Sequence, residues 1–268
     1  MFNAYNGGLC LGDDTMDYVR FGSGARTLVI LPGVGDGLKT VKGAAVPFAL
    51  MYRKLAREYT VYIFSRRNRL PETYSTREMA DDLERAMARL GIRSAFVVGI
   101  SQGGMIAQWL AIDHPERVER LMPVVTIARP NDTIRAAIAR WTEQARRGDY
   151  KGLMLDFAER AYTPGRLRLM RPMYALLGNV GKPKSFQRFL TQAEACVTHD
   201  AWDRLPEIAC PTLVIGGTDD RIASGEASRE LAARIPGARL VMLEGLGHGL
   251  YEEDPQFQER VLEFGGEK

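Results

Sequence analysis

Short apolar runs alternate with longer amphipathic segments through most of the sequence. The runs are four to six residues long, and each is followed by glycine, proline or polar residues, as expected where a strand leaves a sheet. They lie at residues 27–31, 60–64, 95–100, 121–126, 212–215 and 240–243. This alternation predicts an α/β protein, with a mostly parallel central sheet and helices on both faces.

The strand pattern stops between about Pro130 and Ala195, where the sequence turns helical and basic. Helices are predicted over residues 134–147, 151–161, 167–177 and 185–195. We interpret residues 130–195 as a helical cap inserted into a core domain of residues 1–129 and 196–268. An insertion between two strands of the sheet is expected to lie over the strand ends, where ligands bind.

Composition argues against several other classes of protein. The net charge of +3 results from 36 basic and 33 acidic residues, which is too small an excess for a nucleic-acid-binding face. Three cysteines are too few for a disulfide framework. The sequence has no apolar run of about 18 residues and no signal-peptide pattern, so we expect a cytoplasmic protein without a membrane partner. Oligomeric state stays open.

A candidate nucleophile follows the predicted strand 95–100. In Gly99-Ile100-Ser101-Gln102-Gly103, a serine lies between an apolar strand and a plausible helix. The flanking glycines relieve the crowding of such a sharp turn. The helix that starts there directs free amides toward a developing negative charge.

A serine hydroxyl needs a base, and three histidines are available. His248 follows the last predicted strand in a glycine-rich loop, which favours it as the base. His114 is expected to have a structural role at a helix end, and His199 has no strand end to project it. Asp219 and Asp220 follow the strand 212–215, and either could orient the histidine.

Together these segments resemble the α/β-hydrolase family, in particular its cap-bearing esterases, lactonases and C–C bond hydrolases. The likeness also includes His114-Pro115-Glu116-Arg117-Val118, residues 211–217, and Gly247-His248 followed by Glu252 and Pro255. The resemblance implies a catalytic triad of Ser101, Asp220 and His248, with no cofactor and no metal. In similar proteins the acid follows a strand-ending glycine by three residues, which favours Asp220 over Asp219.

The resemblance also implies an oxyanion hole formed by the backbone amides of Gln102 and Val34. A histidine commonly precedes the first glycine of this loop in the family, whereas this sequence has Pro32. The same loop nearly matches the phosphate-binding pattern GxxxxGK[ST] over residues 33–40, with Leu38 in place of the required glycine. Nucleotide binding would leave the serine, aspartate and histidine unexplained.

The substrate is less constrained by the sequence. Gly33 and a set of apolar side chains in the insertion are candidates for the substrate pocket, although helix-to-core packing explains the spacing of the apolar set equally well. That set is Met154, Phe157, Met170, Met173 and Tyr174. Two groups of arginines could receive an anionic substrate, but a solvated surface is the more ordinary interpretation. They are Arg66, Arg67 and Arg69, and Arg166, Arg168 and Arg171.

The predicted activity is hydrolysis of a small-molecule ester or lactone through an acyl-enzyme on Ser101, with His248 as general base and acid. Three alternatives use the same fold: a C–C bond hydrolase, an acyltransferase or perhydrolase, and a noncatalytic ligand receptor. A serine at the nucleophile position argues against haloalkane dehalogenation, which requires a carboxylate.

Overall fold

The computed structural model describes residues 2–267, except for the side chains of residues 173–177. Its strands form one eight-stranded sheet in the order β1-β2-β4-β3-β5-β6-β7-β8. They are β1 (Tyr5–Leu11), β2 (Asp14–Phe21), β3 (Arg26–Leu31), β4 (Tyr59–Arg67), β5 (Ala95–Ile100), β6 (Val118–Val124), β7 (Leu213–Gly217) and β8 (Arg239–Leu243). β2 runs antiparallel to both of its neighbours, and the other pairings are parallel.

The structure confirms all six predicted strands and adds the hairpin β1–β2 at one edge. This hairpin turns at Gly12, whose φ is +66°. β1 contains Gly7-Gly8 and has a mostly exposed face, so it carries little of the apolar signal by which strands are recognised. Its position depends on pairing with β2 rather than on its own composition.

Eleven α-helices occur within residues 2–267. They are α1 (Ala45–Met51), α2 (Leu55–Glu58), α3 (Thr76–Arg89), α4 (Gln102–Asp113), α5 (Asp132–Arg146), α6 (Tyr150–Ala161), α7 (Pro164–Leu177), α8 (Gln187–Thr198), α9 (Gly225–Arg234), α10 (Leu250–Glu253) and α11 (Phe257–Gly266). Short 3₁₀ turns occupy Val34–Gly37, Pro115–Arg117 and Trp202–Glu207.

The two faces of the sheet bury separate apolar cores because successive strand residues point to opposite sides. In β5, Val97 packs with α3, α4 and α9, whereas Phe96 and Val98 pack with α1, α2, α10 and α11. Helices therefore cover both faces, as predicted.

Four helices, α5–α8, lie between β6 and β7 in the sequence, and we call them the helical insertion. A third apolar core joins Ile134, Trp141 and Phe189 of these helices to Val34 and Met105. The insertion therefore packs over the loop after β3 and the first turns of α4. The exact division into residues 1–129 with 196–268 and residues 130–195 stays a prediction.

The parallel strands are unevenly joined. β5 and β6 align over six residue pairs, whereas β6 and β7 align at Val124 and Ile215, with an additional bridge between Leu121 and Thr212.

Among residues 2–267, no helix is both long and apolar enough to cross a membrane.

Candidate active site

Ser101 lies at a strained turn between β5 and α4. Its φ of +54° is unusual for a residue with a side chain. The flanking glycines make this turn possible: a Cβ on Gly103 would lie 2.0 Å from the carbonyl oxygen of Leu31, and one on Gly99 would lie 2.5 Å from that of Gly103. The predicted role of these glycines is thus explained by close backbone approach.

Two backbone amides beside Ser101 are available to bind an anion. Gln102 begins α4, and Val34 begins the 3₁₀ turn after β3. Neither amide has a hydrogen-bond partner among the described residues. The loop approaches the serine closely, since a Cβ on Gly33 would lie 3.7 Å from the Ser101 Oγ. These positions match the predicted oxyanion donors.

Asp220 and His248 are paired below the surface. The Nδ1 atom of His248 is 2.9 Å from Oδ2 and 3.1 Å from Oδ1 of Asp220. The backbone amides of Ile222 and Ala223 also donate to Oδ1, at 2.8 and 2.9 Å. A proton on Nδ1 satisfies the carboxylate and leaves Nε2 free to act as a base. Asp219, the alternative acid, is exposed.

The environment of Asp220 favours its ionised form. Burial by itself raises the pKa of this carboxyl group, but the nearby imidazole and the hydrogen bonds from His248, Ala223 and Ile222 outweigh it, so that the pKa is lowered. An ionised carboxylate can hold the imidazole in one tautomer and stabilise it once it is protonated.

Ser101 and His248 line a single cavity of about 460 Å³. The Ser101 hydroxyl has no hydrogen-bond partner in the described part of the chain. Such contacts often form only when a substrate is bound. The cavity therefore brings together the candidate nucleophile, the candidate base and the Val34 loop, and the Gln102 amide directly follows Ser101.

Of the predicted pocket residues, Gly33, Met154 and Phe157 line this cavity. Met170 packs against the core of the insertion and is not part of the cavity lining. The side chains of Met173 and Tyr174 lie outside the described residues. The sequence analysis missed further lining residues, which include Leu38, Val41, Ala44, Phe48, Met51, Tyr52, Trp141, Tyr150, Leu153, Phe189 and Tyr251.

The six arginines that were candidates for an anionic substrate are not among the lining residues of this cavity. Arg67 forms an ion pair with Asp82, and Arg69 forms one with Asp14 at 3.5 Å. Arg168 is exposed, and Arg171 lies 3.8 Å from Glu159. Arg66 is buried, with its Nη2 donating to the Pro32 carbonyl oxygen at 2.6 Å. The surface interpretation holds for Arg69, Arg168 and Arg171.

The other two histidines have contacts outside the cavity. The Nε2 atom of His114 lies 3.0 Å from Oδ1 of Asp81. His199 is buried, its Nδ1 lies 2.8 Å from the Thr76 hydroxyl, and burial lowers its pKa to about 3. Both histidines thus contact other side chains of the fold and are not part of the cavity lining.

The loop 33–40 differs from a phosphate-binding loop. A helix follows the lysine of that motif directly, whereas α1 begins only at Ala45. The Thr40 hydroxyl donates to the Asp17 carboxylate at 2.9 Å. The near-match to the phosphate-binding pattern is thus a coincidence of sequence.

A mostly parallel sheet with a strained serine after a central strand, and an aspartate–histidine pair after two later strands, is the architecture of an α/β hydrolase. Residues 26–255 match the α/β-hydrolase fold family, and the chain belongs to it.

Individual relatives agree with this assignment. The chain is 26% identical over 260 residues to the "Putative carbamate hydrolase RutD" of Caulobacter sp. (strain K31), covering 90% of this chain and 91% of that protein. A hydrolase from Pseudomonas aeruginosa PA01 superimposes with a TM-score of 0.80 at 26% identity over 98% of each chain. The enol-lactonase from Burkholderia xenovorans LB400 shares the fold, with a TM-score of 0.83 at 23% identity over 97% of this chain and 100% of that one.

Proposed function

We propose that this protein is a serine hydrolase that cleaves carboxylic esters or lactones with an apolar acyl part. The observation that carries this proposal is the convergence of Ser101, His248 and Val34 on one cavity, with free backbone amides at Val34 and at Gln102, the residue after Ser101. The buried Asp220–His248 pair supports the base, since the carboxylate fixes the imidazole tautomer.

The reaction follows from these positions. The Ser101 Oγ attacks the substrate carbonyl carbon while His248 Nε2 takes its proton, and the amides of Val34 and Gln102 bind the resulting oxyanion. When the carbonyl re-forms, the carbon–oxygen bond to the leaving alkoxide breaks, and His248 donates the proton to that alkoxide. Water then attacks the acyl-enzyme by the same route and releases the acid and the free serine.

The lining of the cavity supports an apolar acyl part. Aromatic and aliphatic side chains from α1, α5, α6 and α8 surround Ser101, and the few polar groups include Asp36, Lys39, Thr40 and Glu252. Burying each methylene group of a substrate contributes about 0.8 kcal/mol. Affinity should therefore rise with acyl chain length until the cavity is filled.

The test is hydrolysis of p-nitrophenyl esters of increasing chain length by the wild type and by Ser101→Ala. Loss of the nucleophile is expected to lower kcat by about four orders of magnitude or more. A phosphonate probe followed by mass spectrometry should label Ser101 in the wild type. An active Ser101→Ala variant would refute the proposal, and absent turnover with absent labelling would favour a noncatalytic receptor.

Carbamates are a second candidate class because a relative that covers 90% of the chain is named as a carbamate hydrolase. The same attack on a carbamate carbonyl would form a carbamoyl-enzyme. Matched p-nitrophenyl esters and carbamates, compared by kcat/KM, decide between the two classes.

The other activities have tests of their own. Product analysis with added alcohols or hydrogen peroxide would detect acyl transfer or perhydrolysis, and a vinylogous diketone substrate would detect C–C bond cleavage.

A further inference from the structure

Three polar side chains on one face of α8 are directed at the 3₁₀ turn Val34–Gly37, which we call the oxyanion loop, and at the start of α4. Arg188, Gln192 and Cys196 are spaced four residues apart and therefore share one side of the helix. Gln192 and Cys196 are buried, and the Arg188 side chain is only 16% exposed. Such a buried polar stripe needs partners, since unpaired polar groups in a protein interior are destabilising.

The first partner is Asp36, in the 3₁₀ turn that carries the Val34 amide. Its Oδ2 atom accepts from the Gln192 side chain at 3.1 Å, from the Arg66 amide at 3.1 Å and from the Arg188 guanidinium. Arg188 also donates to the backbone carbonyls of Asp36 at 3.3 Å, of Arg66 at 3.2 Å and of Arg67. One guanidinium thus joins α8 to the oxyanion loop and to the end of β4.

The second partner is the side chain of Gln102, the residue that supplies the other amide. Its Nε2 donates to the backbone carbonyl of Gln192 at 2.6 Å and to the Cys196 sulfur at 3.2 Å. Its Oε1 accepts from Arg66 at 3.2 Å, and the same guanidinium donates to the carbonyl of Pro32. Both amides beside Ser101 therefore belong to residues or loops that α8 and Arg66 hold in place.

Charge and packing support the same function. Two guanidinium groups accompany one carboxylate in this cluster, which leaves a net positive charge behind the two free amides, in a region of low dielectric. The backbone of the loop also touches α8 directly, since a Cβ on Gly37 would lie 2.6 Å from the Cα of Phe189. Displacement of α8 would thus shift the loop.

We propose that α8 sets the geometry of the oxyanion hole, with Arg188 and Gln192 as positioning residues that act through Asp36 and Gln102. This inference rests on the proposed hydrolase function. Neither side chain lines the cavity, so their effect on the reaction is indirect. The hole would assemble only while α8 is docked on the loop, which couples the helical insertion to the chemistry.

The test compares Arg188→Met with Arg147→Met, which removes an exposed arginine whose one ion pair within the described residues is with Glu143. Because the cluster acts on the transition state, Arg188→Met should lower kcat about 10- to 100-fold with KM changed less than about 3-fold. The affinity for an alkylboronic acid, which forms a tetrahedral adduct on the serine, should fall by a similar factor. Arg147→Met should change neither. Equal kinetics for the two variants, or a rise in KM alone, would overturn the inference.

A readout independent of turnover separates this inference from the proposed function. Hydrogen exchange at the amides of residues 34–38 should be faster in Arg188→Met than in the wild type and in Arg147→Met. If the wild type hydrolyses no ester but this difference is present, the function fails and the positioning stands. Unchanged exchange overturns the positioning. Arg188→Lys, which keeps the charge but cannot span the carboxylate and three carbonyls, is the second variant and should lie between wild type and Arg188→Met in both measurements.

Discussion

Asp219 and Asp220 are neighbours in the sequence with opposite environments. Asp220 is buried against His248, whereas Asp219 is exposed and accepts from the Thr218 hydroxyl. An amide at position 220 would favour the wrong imidazole tautomer, so Asp220→Asn should lower kcat about 10⁴-fold. Asp219→Asn should stay within about 2-fold of the wild type. Steady-state kinetics with p-nitrophenyl butyrate measure both, and equal losses would show that the acid is misassigned.

The sequence can nominate candidate residues whose position depends on local chain geometry. Ser101 and His248 were candidates because glycines and a preceding strand mark the turns that carry them, and the choice of Asp220 over Asp219 needed the family spacing. Arg188 and Gln192 could not be found in this way. Their partners, Asp36 and Gln102, are 90 to 156 residues away, and only the folded chain brings them together.

Within the oxyanion loop, substitution of two glycines tests whether close packing against α8 stabilises the fold. A Cβ on Gly37 would meet the Phe189 backbone at 2.6 Å, whereas one on Gly35 would meet nothing within 4 Å. Gly37→Ala should therefore lower the free energy of unfolding by about 1–3 kcal/mol. Gly35→Ala should change it by less than about 0.5 kcal/mol. Urea denaturation followed by circular dichroism measures both, and indistinguishable midpoints would contradict the contact.

One wall of the cavity is formed around the start of α1. Ala44, just before the helix, lines the cavity, whereas Val46 is 50% exposed and is not among the lining residues. Ala44→Trp should shorten the longest p-nitrophenyl ester that is hydrolysed efficiently, because the indole takes up space that an acyl chain would use. Val46→Trp should leave the chain-length profile unchanged. Identical profiles for the two variants would place the acyl chain elsewhere in the cavity.

Strands and helices were predicted correctly where burial imposes an apolar pattern on the sequence. β1 was missed because its position depends on pairing with β2. β5 is buried throughout and β3 over its last four residues, and both appear in the sequence as continuous apolar runs. β1 alternates weakly and contains two adjacent glycines, so nothing local distinguishes it from a loop. The helices of the insertion were predicted to within a few residues because their apolar spacing is regular.

For the whole molecule, the buried His199 predicts a particular dependence of stability on pH. Burial lowers its pKa to about 3 in the folded protein, below the 6.5 of an exposed histidine. The unfolded chain therefore binds more protons between these values, and the folded state loses about 1.4 kcal/mol per pH unit as the pH falls below 6.5. Above pH 6.5 the histidine is neutral in both states, so it no longer makes the stability depend on pH. In His199→Gln the free energy of unfolding, measured by urea denaturation, should fall less steeply between pH 6 and pH 4 than in the wild type. The same slope in both proteins would contradict the lowered pKa of His199.

The narrow contact between β6 and β7 divides the sheet into two unequal parts, one of six strands (β1–β6) and one of two strands (β7 and β8). Ser101 and the amides of Val34 and Gln102 belong to the part that contains β3 and β5, whereas Asp220 and His248 follow β7 and β8 in the other part. Few backbone pairs join the two parts, so thermal or chemical stress that separates β6 from β7 would move Ser101 away from His248 while most of the secondary structure persists. Inactivation should then precede unfolding, which makes the enzyme's working range narrower than its melting temperature suggests.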